Sequence, residues 1–471
     1  MGAQLERAGV EDFLILERGD GLGGTWRVNT YPGAACDVPS HLYSFSFAPK
    51  PDWSRRYAPQ AEILDYIEGC AERFGVGPHV RAHTEVTDAA FDEATGRWRV
   101  QTGDGRRFGA AVVVLATGGL SRPRVPRIPG LDTFAGPVMH SAGWRHDLDL
   151  DGLRVGVVGT GASAIQVVPG IVDRVGQLLV FQRTPPWILP RGDRAFTAIE
   201  RAALERILGL RWLYRQWIYW TTELAALAFV RFPGLLRWAG HWGTAHLHRQ
   251  IEDPALRRAL TPGYTMGCKR ILLSDDYYPA LASEHTALVT SPIEAIDVAG
   301  VCTADGVHHP LDALILCTGF HAAEQMAPFP IRGRAGRSLS EVWASGASAY
   351  LGTAVHGFPN LFLLVGPNTG LGHSSMIFVI ESQVRFILGA LDALRRRDLV
   401  WMDVRSGAQE RFNRWLQRRM GRTVWQQGGC RSWYQTSDGR NTTLWPGFTF
   451  DFARRTRRPR LADFELRARS P

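Results

Sequence analysis

The segment Val155–Ala164, with the sequence VGVVGTGASA, decides the fold. An apolar, β-branched run leads into Gly159-x-Gly161-x-x-Ala164, and residues 165–168 can continue as a helix. In such a turn the first glycine permits the tight bend, and the second lets a pyrophosphate approach the backbone. The helix that follows points its positive N-terminus at the phosphates. The segment therefore predicts a dinucleotide-binding loop made of Gly159, Thr160, Gly161, Ser163 and Ala164.

The strand after this loop indicates which dinucleotide binds. Residues 178–181 form an apolar run that ends in Gln182, Arg183 and Thr184 rather than in an acid. An acid at that position would repel a 2′-phosphate, whereas a guanidinium group can bind one. We therefore expect NADPH in preference to NADH, with Arg183 and Thr184 in contact with it. The alternative is that Arg183 only pairs with a surface carboxylate.

Four further apolar runs extend the pattern of buried parallel strands. They lie at Phe13–Leu16, Val112–Leu115, Leu314–Leu316 and Phe362–Val365. Glu17 follows the first of them, where a dinucleotide fold places the acid that holds a ribose. Thr117-Gly118 and Thr318-Gly319 follow two others, as in flavoproteins whose chain crosses between an FAD and an NADPH domain. The sequence thus predicts an α/β protein with two Rossmann-type dinucleotide-binding domains.

The order of these motifs predicts the domain organisation. We expect residues 1–140 and 346–471 to form the FAD-binding domain, and residues 141–345 to form the NADPH-binding domain. Helical periodicity at about residues 192–262 predicts a helical insertion in the NADPH domain. The strand, glycine-rich turn and helix start that should precede Phe13–Leu16 are absent from the 471 residues. We therefore expect an N-terminally truncated FAD domain, and a 471-residue chain that retains little FAD.

Composition argues against several other classes of protein. Hydrophobic residues make up 45% of the chain and charged residues 21%, as in a globular protein. The six cysteines include no C-x-x-C pair, which argues against a zinc ribbon, a redox dithiol and a disulfide framework, and favours the cytoplasm. We expect no metal site and no nucleic-acid partner. The net charge of +9 comes partly from an arginine run at residues 454–460, which we interpret as a solvated tail.

The chain opens without the apolar run of a signal peptide. Its most apolar long stretch, residues 207–230, is interrupted by Arg211, Arg215 and Glu223. The stretch therefore predicts a helix with an aromatic surface and not a transmembrane segment. Four tryptophans in or before this stretch favour either a bulky apolar substrate or, more simply, helix packing. They are Trp187, Trp212, Trp217 and Trp220.

Two longer motifs are more specific. Residues 23–37 match the pattern G-G-x-W, four residues, aromatic-Pro-Gly, three residues, Asp. The pattern F-x-G-x-x-x-H-x-x-x-W is met by Phe134, Gly136, His140 and Trp144. In both motifs the chain resembles the Baeyer–Villiger monooxygenases, which are class B flavin-dependent monooxygenases, and the resemblance covers nearly the whole chain. One departure is Arg145, because the family commonly has Pro or Asp after this tryptophan.

The resemblance implies an activity and its cofactors. Such an enzyme uses FAD, NADPH and O2 to insert oxygen beside a ketone carbonyl, giving an ester or lactone through a C4a-peroxyflavin. Arg270 is implied to stabilise the peroxide, Asp37 to orient Arg270, and Lys269 to bind the NADPH 2′-phosphate. The other residues implied to contact the flavin or the nicotinamide are Glu17, Gly24, Thr25, Trp26, Tyr43, Val86, Thr117, Gly118, Met376 and Trp433.

Two other functions remain open from the sequence. One is a flavin N- or S-oxygenase, although such enzymes usually carry Tyr where this chain has Trp144. The other is a protein that binds NADPH without oxygenating a substrate, because its flavin site is incomplete. We interpret His140 as a structural residue of the interdomain linker and not as a proton-transfer group. Ser374 or Ser375 is expected to cap a helix that starts near Met376 and points its N-terminus at the flavin.

Overall fold

The structure, a computed structural model, describes residues 1–321, 327 and 329–469. Strands and helices alternate along the chain, as the sequence predicts for an α/β protein. The helices are α1 Gly2–Arg7, α2 Thr25–Val28, α3 Gln60–Arg73, α4 Ala164–Ile171, α5 Ala198–Arg206, α6 Leu210–Val230, α7 Pro233–Gln250, α8 Pro254–Leu260, α9 Tyr277–Leu281, α10 Leu339–Val342, α11 Met376–Arg396, α12 Ser406–Met420, α13 Val424–Gln427 and α14 Thr449–Arg455. The strands are β1 Ile15–Leu16, β2 Val80–Arg81, β3 Val86–Asp92, β4 Arg97–Thr102, β5 Arg107–Ala110, β6 Val113–Leu115, β7 Val138–His140, β8 Arg154–Val158, β9 Gln177–Phe181, β10 Ile188–Leu189, β11 Leu272–Leu273, β12 Thr286–Val289, β13 Ile293–Ile296, β14 Gly300–Thr303, β15 His308–Pro310, β16 Ala313–Leu316, β17 Ile331–Arg332, β18 Leu361–Leu363, β19 Leu399–Val404 and β20 Phe464–Ala468.

The sheet that carries the glycine-rich loop has five parallel strands in the order β12-β9-β8-β16-β7. Val157 and Val180 face helices α4 and α9, whereas Leu179 and Leu314 face the three-stranded sheet β13-β14-β15. Both faces are therefore covered, which explains why β8, β9 and β16 have no polar residues apart from the exposed Arg154 and Gln177 that begin β8 and β9. The structure confirms the strands that the sequence predicts at β8, β9 and β16.

The other α/β region is built on two separate parallel pairs, β1 with β2 and β6 with β18. The sequence predicts β1, β6 and β18, although Phe13–Leu16 and Val112–Leu115 overstate the lengths of the first two. Leu16, Val86 and Val113 pack against one core cluster, so both pairs lie over a common core. Across residues 1–321, 327 and 329–469, no strand joins the pairs into one sheet. The mixed sheet β17-β3-β4-β5, in which β17 pairs parallel with β3 and the other pairs are antiparallel, packs on the same core.

Helices α5 to α8 occupy the part of the chain in which the sequence predicts a helical region. A capping box of Thr197 and Glu200 starts α5. Trp212, Trp217 and Trp220 lie on the outer face of α6 and are more than half exposed. Helix packing accounts for only part of these side chains, because Trp217 and Trp220 contact neighbouring aromatic rings while more than half of each side chain stays exposed. Among the described residues, no helix is long and apolar enough to cross a lipid bilayer.

The arginine run near the end of the chain is part of the folded structure and not a tail, although four of its five arginines are solvent-exposed as the sequence interpretation expects. Arg454 and Arg455 lie in α14 and form ion pairs with Asp451. The guanidinium carbon of Arg455 also lies 4.0 Å from the centre of the Trp415 ring. The chain then continues into β20, which pairs antiparallel with β19. Asp451 precedes Arg454 by three residues and Arg455 by four, which is the spacing of ion pairs along a helix. A count of charges does not detect this spacing.

Candidate active site

The turn between β8 and α4 has the geometry of a phosphate-binding loop. Gly159 has a φ of 111°, and a Cβ atom there would lie 2.5 Å from the carbonyl oxygen of the residue after β16, so only glycine fits. A Cβ atom on Gly161 would meet nothing within 4 Å, which leaves this backbone open to a ligand. The Thr160 hydroxyl donates to the Thr184 carbonyl at 3.0 Å and joins the loop to the end of β9. The structure thus brings together Gly159, Thr160, Gly161, Ser163, Ala164 and Thr184.

Two cations lie near this loop without an acidic partner. Arg183 follows β9 and is exposed, whereas Lys269 is half-buried with its Nζ 5.0 Å from the centre of the Tyr264 ring. Burial, and then the positive charge of Arg183, lowers the pKa of Lys269. In the part of the chain that the structure describes, neither side chain forms an ion pair. The alternative in which Arg183 pairs with a surface carboxylate is therefore not observed, and an anion bound between the cations would relieve their repulsion.

Arg270 and Asp37 form the central ion pair of the site. Two nitrogens of Arg270, Nη2 and Nε, donate to Asp37 Oδ2 at 2.6 and 2.9 Å, and Nη1 donates to the Leu371 carbonyl at 3.1 Å. The neighbouring Asp37 raises the pKa of Arg270 above its already high ordinary value. Arg270 is therefore a permanently charged donor with a fixed position. The structure brings these two residues together, as the resemblance implies.

Buried groups around the ion pair are kept neutral. Burial raises the pKa of the Cys36 thiol and of the Tyr43 hydroxyl well above their ordinary values. Burial also raises the pKa of Tyr434 to about 12. At neutral pH these groups therefore contribute no charge of their own beside Arg270 and Asp37. Tyr434 is a residue of the site that the sequence reasoning misses, although it directly follows Trp433.

The first motif anchors this ion pair on helix α4. The Tyr31 hydroxyl donates to Gln166 Oε1 at 3.2 Å, and Gln166 Nε2 donates to the Ala35 carbonyl at 3.0 Å. A Cβ atom on Gly33 would lie 2.8 Å from the Gln166 carbonyl oxygen, so the close approach of the two segments requires glycine. The aspartate of the motif thus reaches the arginine from a segment fixed on the dinucleotide-binding helix. Gln166 gives no sequence signal, because a glutamine in a helix is usually a surface residue.

Earlier residues of the same motif form a second group. Gly24 precedes the short helix α2, which contains Thr25 and Trp26. Trp26 Nε1 donates to the Tyr43 hydroxyl at 3.0 Å, and the two rings meet edge to face. Tyr43 also lies near Cys36 and Asp37, which both raise its pKa further. Trp26 and Tyr43 are therefore brought towards the central ion pair.

The remaining flavin-side residues lie at the ends of the short strands. Glu17 follows β1, and its Oε1 accepts a hydrogen bond from the backbone N–H of Gly19 at 2.6 Å. Thr117 and Gly118 follow β6 and are exposed. Val86 begins β3 and packs in the core beside β1 and β6. Among the described residues, no hydrogen bond, ion pair or ring contact joins Glu17, Thr117 or Val86 to the Arg270 cluster, so their roles at a cofactor stay predictions.

Two predicted residues lie on later segments. Met376 is the first residue of α11, and the Ser375 hydroxyl accepts from the N–H of Ile377 at 3.3 Å. Ser375 and not Ser374 is therefore the cap. Trp433 is 48% exposed, and its ring centre lies 4.4 Å from that of Tyr434. Trp433 is thus a surface residue beside the ion-pair cluster and not a core tryptophan.

The histidine of the second motif is held by backbone groups at both ring nitrogens. His140 Nδ1 accepts from the N–H of Ala142 at 3.1 Å, so Nε2 carries the proton and donates to the Gly319 carbonyl at 3.0 Å. Burial lowers the pKa of His140, which keeps the ring neutral. Gly319 belongs to the turn after β16, so the ring ties β7 to a predicted crossing point between domains. This arrangement agrees with the structural interpretation of His140.

The cysteines require a correction. Cys268 and Cys430, which are separated by 162 positions, form a disulfide bond with a Cα–Cα distance of 6.1 Å. The argument against disulfides from the missing C-x-x-C spacing is therefore wrong for this pair, because pairing depends on distance in space and not in sequence. The bond joins the segment of Lys269 and Arg270 to the segment of Trp433. Cys36, Cys70, Cys302 and Cys317 are free.

One group of side chains elsewhere has metal-ligating chemistry. Ligand atoms of Asp297, Cys302 and His308 lie within 4.8 Å of one another at the β13–β15 hairpin. Asp297 already accepts from the N–H groups of Ala299 and Gly300 and contacts His308 Nε2 at 3.0 Å. These bonds explain the aspartate as a turn cap. The expectation of no metal site stays a prediction.

Known proteins are similar to this chain in sequence and in fold. The flavin-binding monooxygenase-like family matches residues 8–199. A Baeyer–Villiger monooxygenase of Pseudomonas aeruginosa is 47% identical over 458 residues, which cover 97% of this chain and 87% of that protein. The closed crystal structure of cyclohexanone monooxygenase matches with a TM-score of 0.89 and 27% identity, covering 99% of this chain and 96% of that one. OTEMO in complex with FAD and NADP matches with a TM-score of 0.88, 26% identity and the same coverage.

These similarities extend over almost all of the chain, including both motifs and the segments that carry Asp37 and Arg270. The two α/β regions correspond to the FAD and NADP Rossmann-type domains of the matched flavin monooxygenases. The cofactors of the enzyme are FAD and NADPH. The chain belongs to the Baeyer–Villiger monooxygenases and is an NADPH-dependent flavin monooxygenase.

Proposed function

We propose that this enzyme converts a ketone into an ester or lactone with NADPH and O2, in a site centred on the Arg270–Asp37 ion pair. The observation that carries the proposal is this pair itself. Arg270 donates two hydrogen bonds to one carboxylate oxygen of Asp37 and a third to a carbonyl, and it directly follows Lys269, whose unpaired charge lies near that of Arg183. A fixed positive donor next to an NADPH-binding region is what an oxygen transfer with a developing negative charge requires.

The residues of the five-stranded region fit NADPH. The open backbone at Gly161 and the N-terminus of α4 would receive the pyrophosphate. Arg183 and Lys269 would bind the 2′-phosphate, whose charge offsets the repulsion between them. Thr160, Ser163, Ala164 and Thr184 complete this part of the site. A 2′-hydroxyl could not offset the repulsion, so the cation pair favours NADPH over NADH.

The residues on the other side fit FAD. FAD, when bound and reduced by NADPH, supplies the oxygen-transfer chemistry from O2. The N-terminus of α11 at Met376 would offer a positive helix end to the flavin ring, and the hydrogen-bonded Trp26 and Tyr43 would form an aromatic wall of the site. Glu17, Thr117 and Gly118 at the ends of β1 and β6, with Gly24, Thr25 and Val86, complete the proposed contacts. Trp433 would cover the nicotinamide side.

Arg270 and Asp37 have separate roles in the proposed mechanism. Arg270 stabilises negative charge on the reacting oxygen atoms and on the carbonyl oxygen of the ketone. Asp37 holds the guanidinium group in place and balances its charge in the resting site. Because burial keeps the Cys36 thiol and the Tyr43 and Tyr434 hydroxyls protonated, no further anion competes for Arg270. The arginine is therefore available to the reacting atoms.

A matched assay of two substrate panels tests this proposal. The protein, supplied with FAD and NADPH, is incubated with cyclic and acyclic ketones in one set and with tertiary amines and thioethers in the other. We expect esters or lactones from the ketones, with one NADPH consumed per product. Conversion of amines or thioethers alone would establish the N- or S-oxygenase alternative instead.

We also propose the following assignments for the chain as a whole. Residues 1–140 and 346–471 form the FAD domain, and residues 141–345 form the NADPH domain with a helical insertion at about 192–262. The partners are a small ketone and O2, without nucleic acid.

The four free cysteines support a cytoplasmic location, whereas the Cys268–Cys430 disulfide speaks against it. Thiol labelling of the protein in intact cells distinguishes the compartments by the redox state of this pair.

A further inference from the structure

Helices α6 and α7 carry five exposed tryptophans, which we call the tryptophan surface. They are Trp212, Trp217, Trp220, Trp238 and Trp242, and each is between 52% and 62% exposed. Leu208, in the turn before α6, is fully exposed. A monomeric protein rarely exposes so many large apolar side chains on two neighbouring helices. Such a patch indicates a surface that binds a partner.

The side chains of the tryptophan surface are ordered along their helices. Leu213, Trp217, Trp220 and Leu224 follow one another at intervals of four, three and four residues, which places them in one stripe along α6. Trp238 and Trp242 are four residues apart on α7, and their rings meet edge to face with centres 5.0 Å apart. The rings are therefore held in place before any partner binds, which lowers the entropy lost on docking.

The charges that helices α6 and α7 turn outward have a single sign. Between residues 207 and 251 the chain has five arginines and one acid, Glu223. Glu223 is buried and accepts hydrogen bonds from the backbone N–H and the hydroxyl of Thr449, so its charge does not face outward. Arg231 and Arg237 are exposed, and the described ranges contain no ion-pair partner for either. The partner of this surface must therefore be apolar at its centre and anionic at its rim.

We infer that the tryptophan surface docks onto an anionic lipid membrane, with α6 and α7 lying in the headgroup region. Tryptophan has an apolar ring and a polar N–H, and it prefers the boundary between lipid chains and water. Exposed arginines beside an apolar helical face attract anionic headgroups, as in other helices that lie in a membrane interface. A second copy of the chain fits less well, because a twofold interface through the tryptophan surface would bring the unpaired Arg231 and Arg237 of both copies together.

Flotation of the full chain with lipid vesicles tests this inference. Vesicles of phosphatidylcholine with 30% phosphatidylglycerol are compared with vesicles of phosphatidylcholine alone. We expect the chain to float with the anionic vesicles, and brominated lipids to quench part of its tryptophan fluorescence. The variant W217S/W220S/W238S/W242S should bind more than about tenfold more weakly and lose the quenching. The variant R231Q/R237Q should bind anionic vesicles more weakly by roughly fivefold per arginine.

Matched variants distinguish this contact from general effects. Val298→Gln removes an apolar side chain that is 63% exposed on another part of the fold, and R99Q/R107Q removes two exposed arginines from β4 and β5. Both controls should bind vesicles like the unchanged chain, and circular dichroism checks that every variant is folded. The inference is overturned if the chain stays unbound with anionic vesicles, or if the tryptophan variant binds equally well. It is also overturned if sedimentation shows a dimer that the tryptophan variant abolishes while vesicle binding is absent.

Discussion

The two cofactor regions of the enzyme are built in different ways. On the NADPH side, β8, the loop at Gly159 and α4 follow one another directly, and the strand lies inside a continuous five-stranded sheet. On the flavin side, the strands β1, β2, β6 and β18 form two separate parallel pairs, and the proposed contacts come from widely separated segments of the chain. The first region is therefore specified by one local motif, whereas the second depends on tertiary packing.

The ion pair between the two regions should give the largest effect. Arg270→Ala removes a positioned charge, so ester formation should fall by about 10²–10³, which corresponds to about 3–4 kcal/mol. Reduction of the flavin by NADPH should survive, because the NADPH loop is untouched. Rapid-mixing absorbance measures the reduction, and product analysis measures the oxygenation. An Arg270→Ala enzyme with a near-normal ester yield would rule out the proposed role, and the exposed Arg201→Ala serves as the control.

Variants of the cation pair Arg183 and Lys269 test the NADPH side alone. Arg183→Ala or Lys269→Ala removes one charge from the proposed 2′-phosphate site. A hydrogen bond to a charged group contributes about 1.5–3 kcal/mol, so the KM for NADPH should rise by roughly tenfold or more. The KM for NADH should change little, since NADH has no 2′-phosphate. Equal losses with both cofactors would show that the two residues act on something else.

Two glycines of one loop should separate folding from binding. Gly159→Ala places a Cβ atom 2.5 Å from a carbonyl oxygen at a φ of 111°, which should destabilise the fold by about 1–3 kcal/mol. Gly161→Ala meets no neighbour within 4 Å, so thermal unfolding should be almost unchanged. Its methyl group would nevertheless stand where the pyrophosphate approaches, and the KM for NADPH should rise. Unchanged NADPH binding in Gly161→Ala would place the phosphates elsewhere.

The smallest predicted effect is on the pH dependence of stability, through His41 in the flavin-side segment after the first motif. Burial, with help from Arg211 and Arg215, lowers the pKa of His41 to about 4. The unfolded chain therefore binds a proton at a higher pH than the folded chain does, and stability is lost as the pH falls below about 6.5. Lowering the pH from 7 to 6 should therefore reduce the free energy of unfolding by about 0.5–1 kcal/mol through His41. Chemical denaturation should show this loss in the unchanged chain and less of it in His41→Gln. An identical pH dependence in both would contradict the shift.

Local sequence patterns predict much of the NADPH side. Strand β8, the glycine loop and α4 are contiguous, so a stretch of ten residues contains the whole signal. The Arg270–Asp37 pair could be expected only through the resemblance, because the two residues are 233 positions apart and neither has a local signature. The family motifs supplied that long-range information.

Features that depend on tertiary contacts escaped the sequence reasoning. Nothing near Cys268 or Cys430 indicates that these residues meet, and Gln166 looks like any polar residue of a helix. The outward face of Trp212, Trp217 and Trp220 could not be predicted either, because helical spacing gives a stripe but not the side on which the core lies. These are the elements for which the packing of distant segments decides the outcome.

The central claim is that the two regions cooperate to place one oxygen atom of O2 beside a ketone carbonyl. Its most direct test is turnover of the best ketone from the panel under ¹⁸O2, with FAD and NADPH supplied, followed by mass spectrometry of the product. We expect an ester or lactone that carries one ¹⁸O atom, formed with one NADPH consumed per product. NADPH consumption that yields only hydrogen peroxide, or a product without the label, would contradict it.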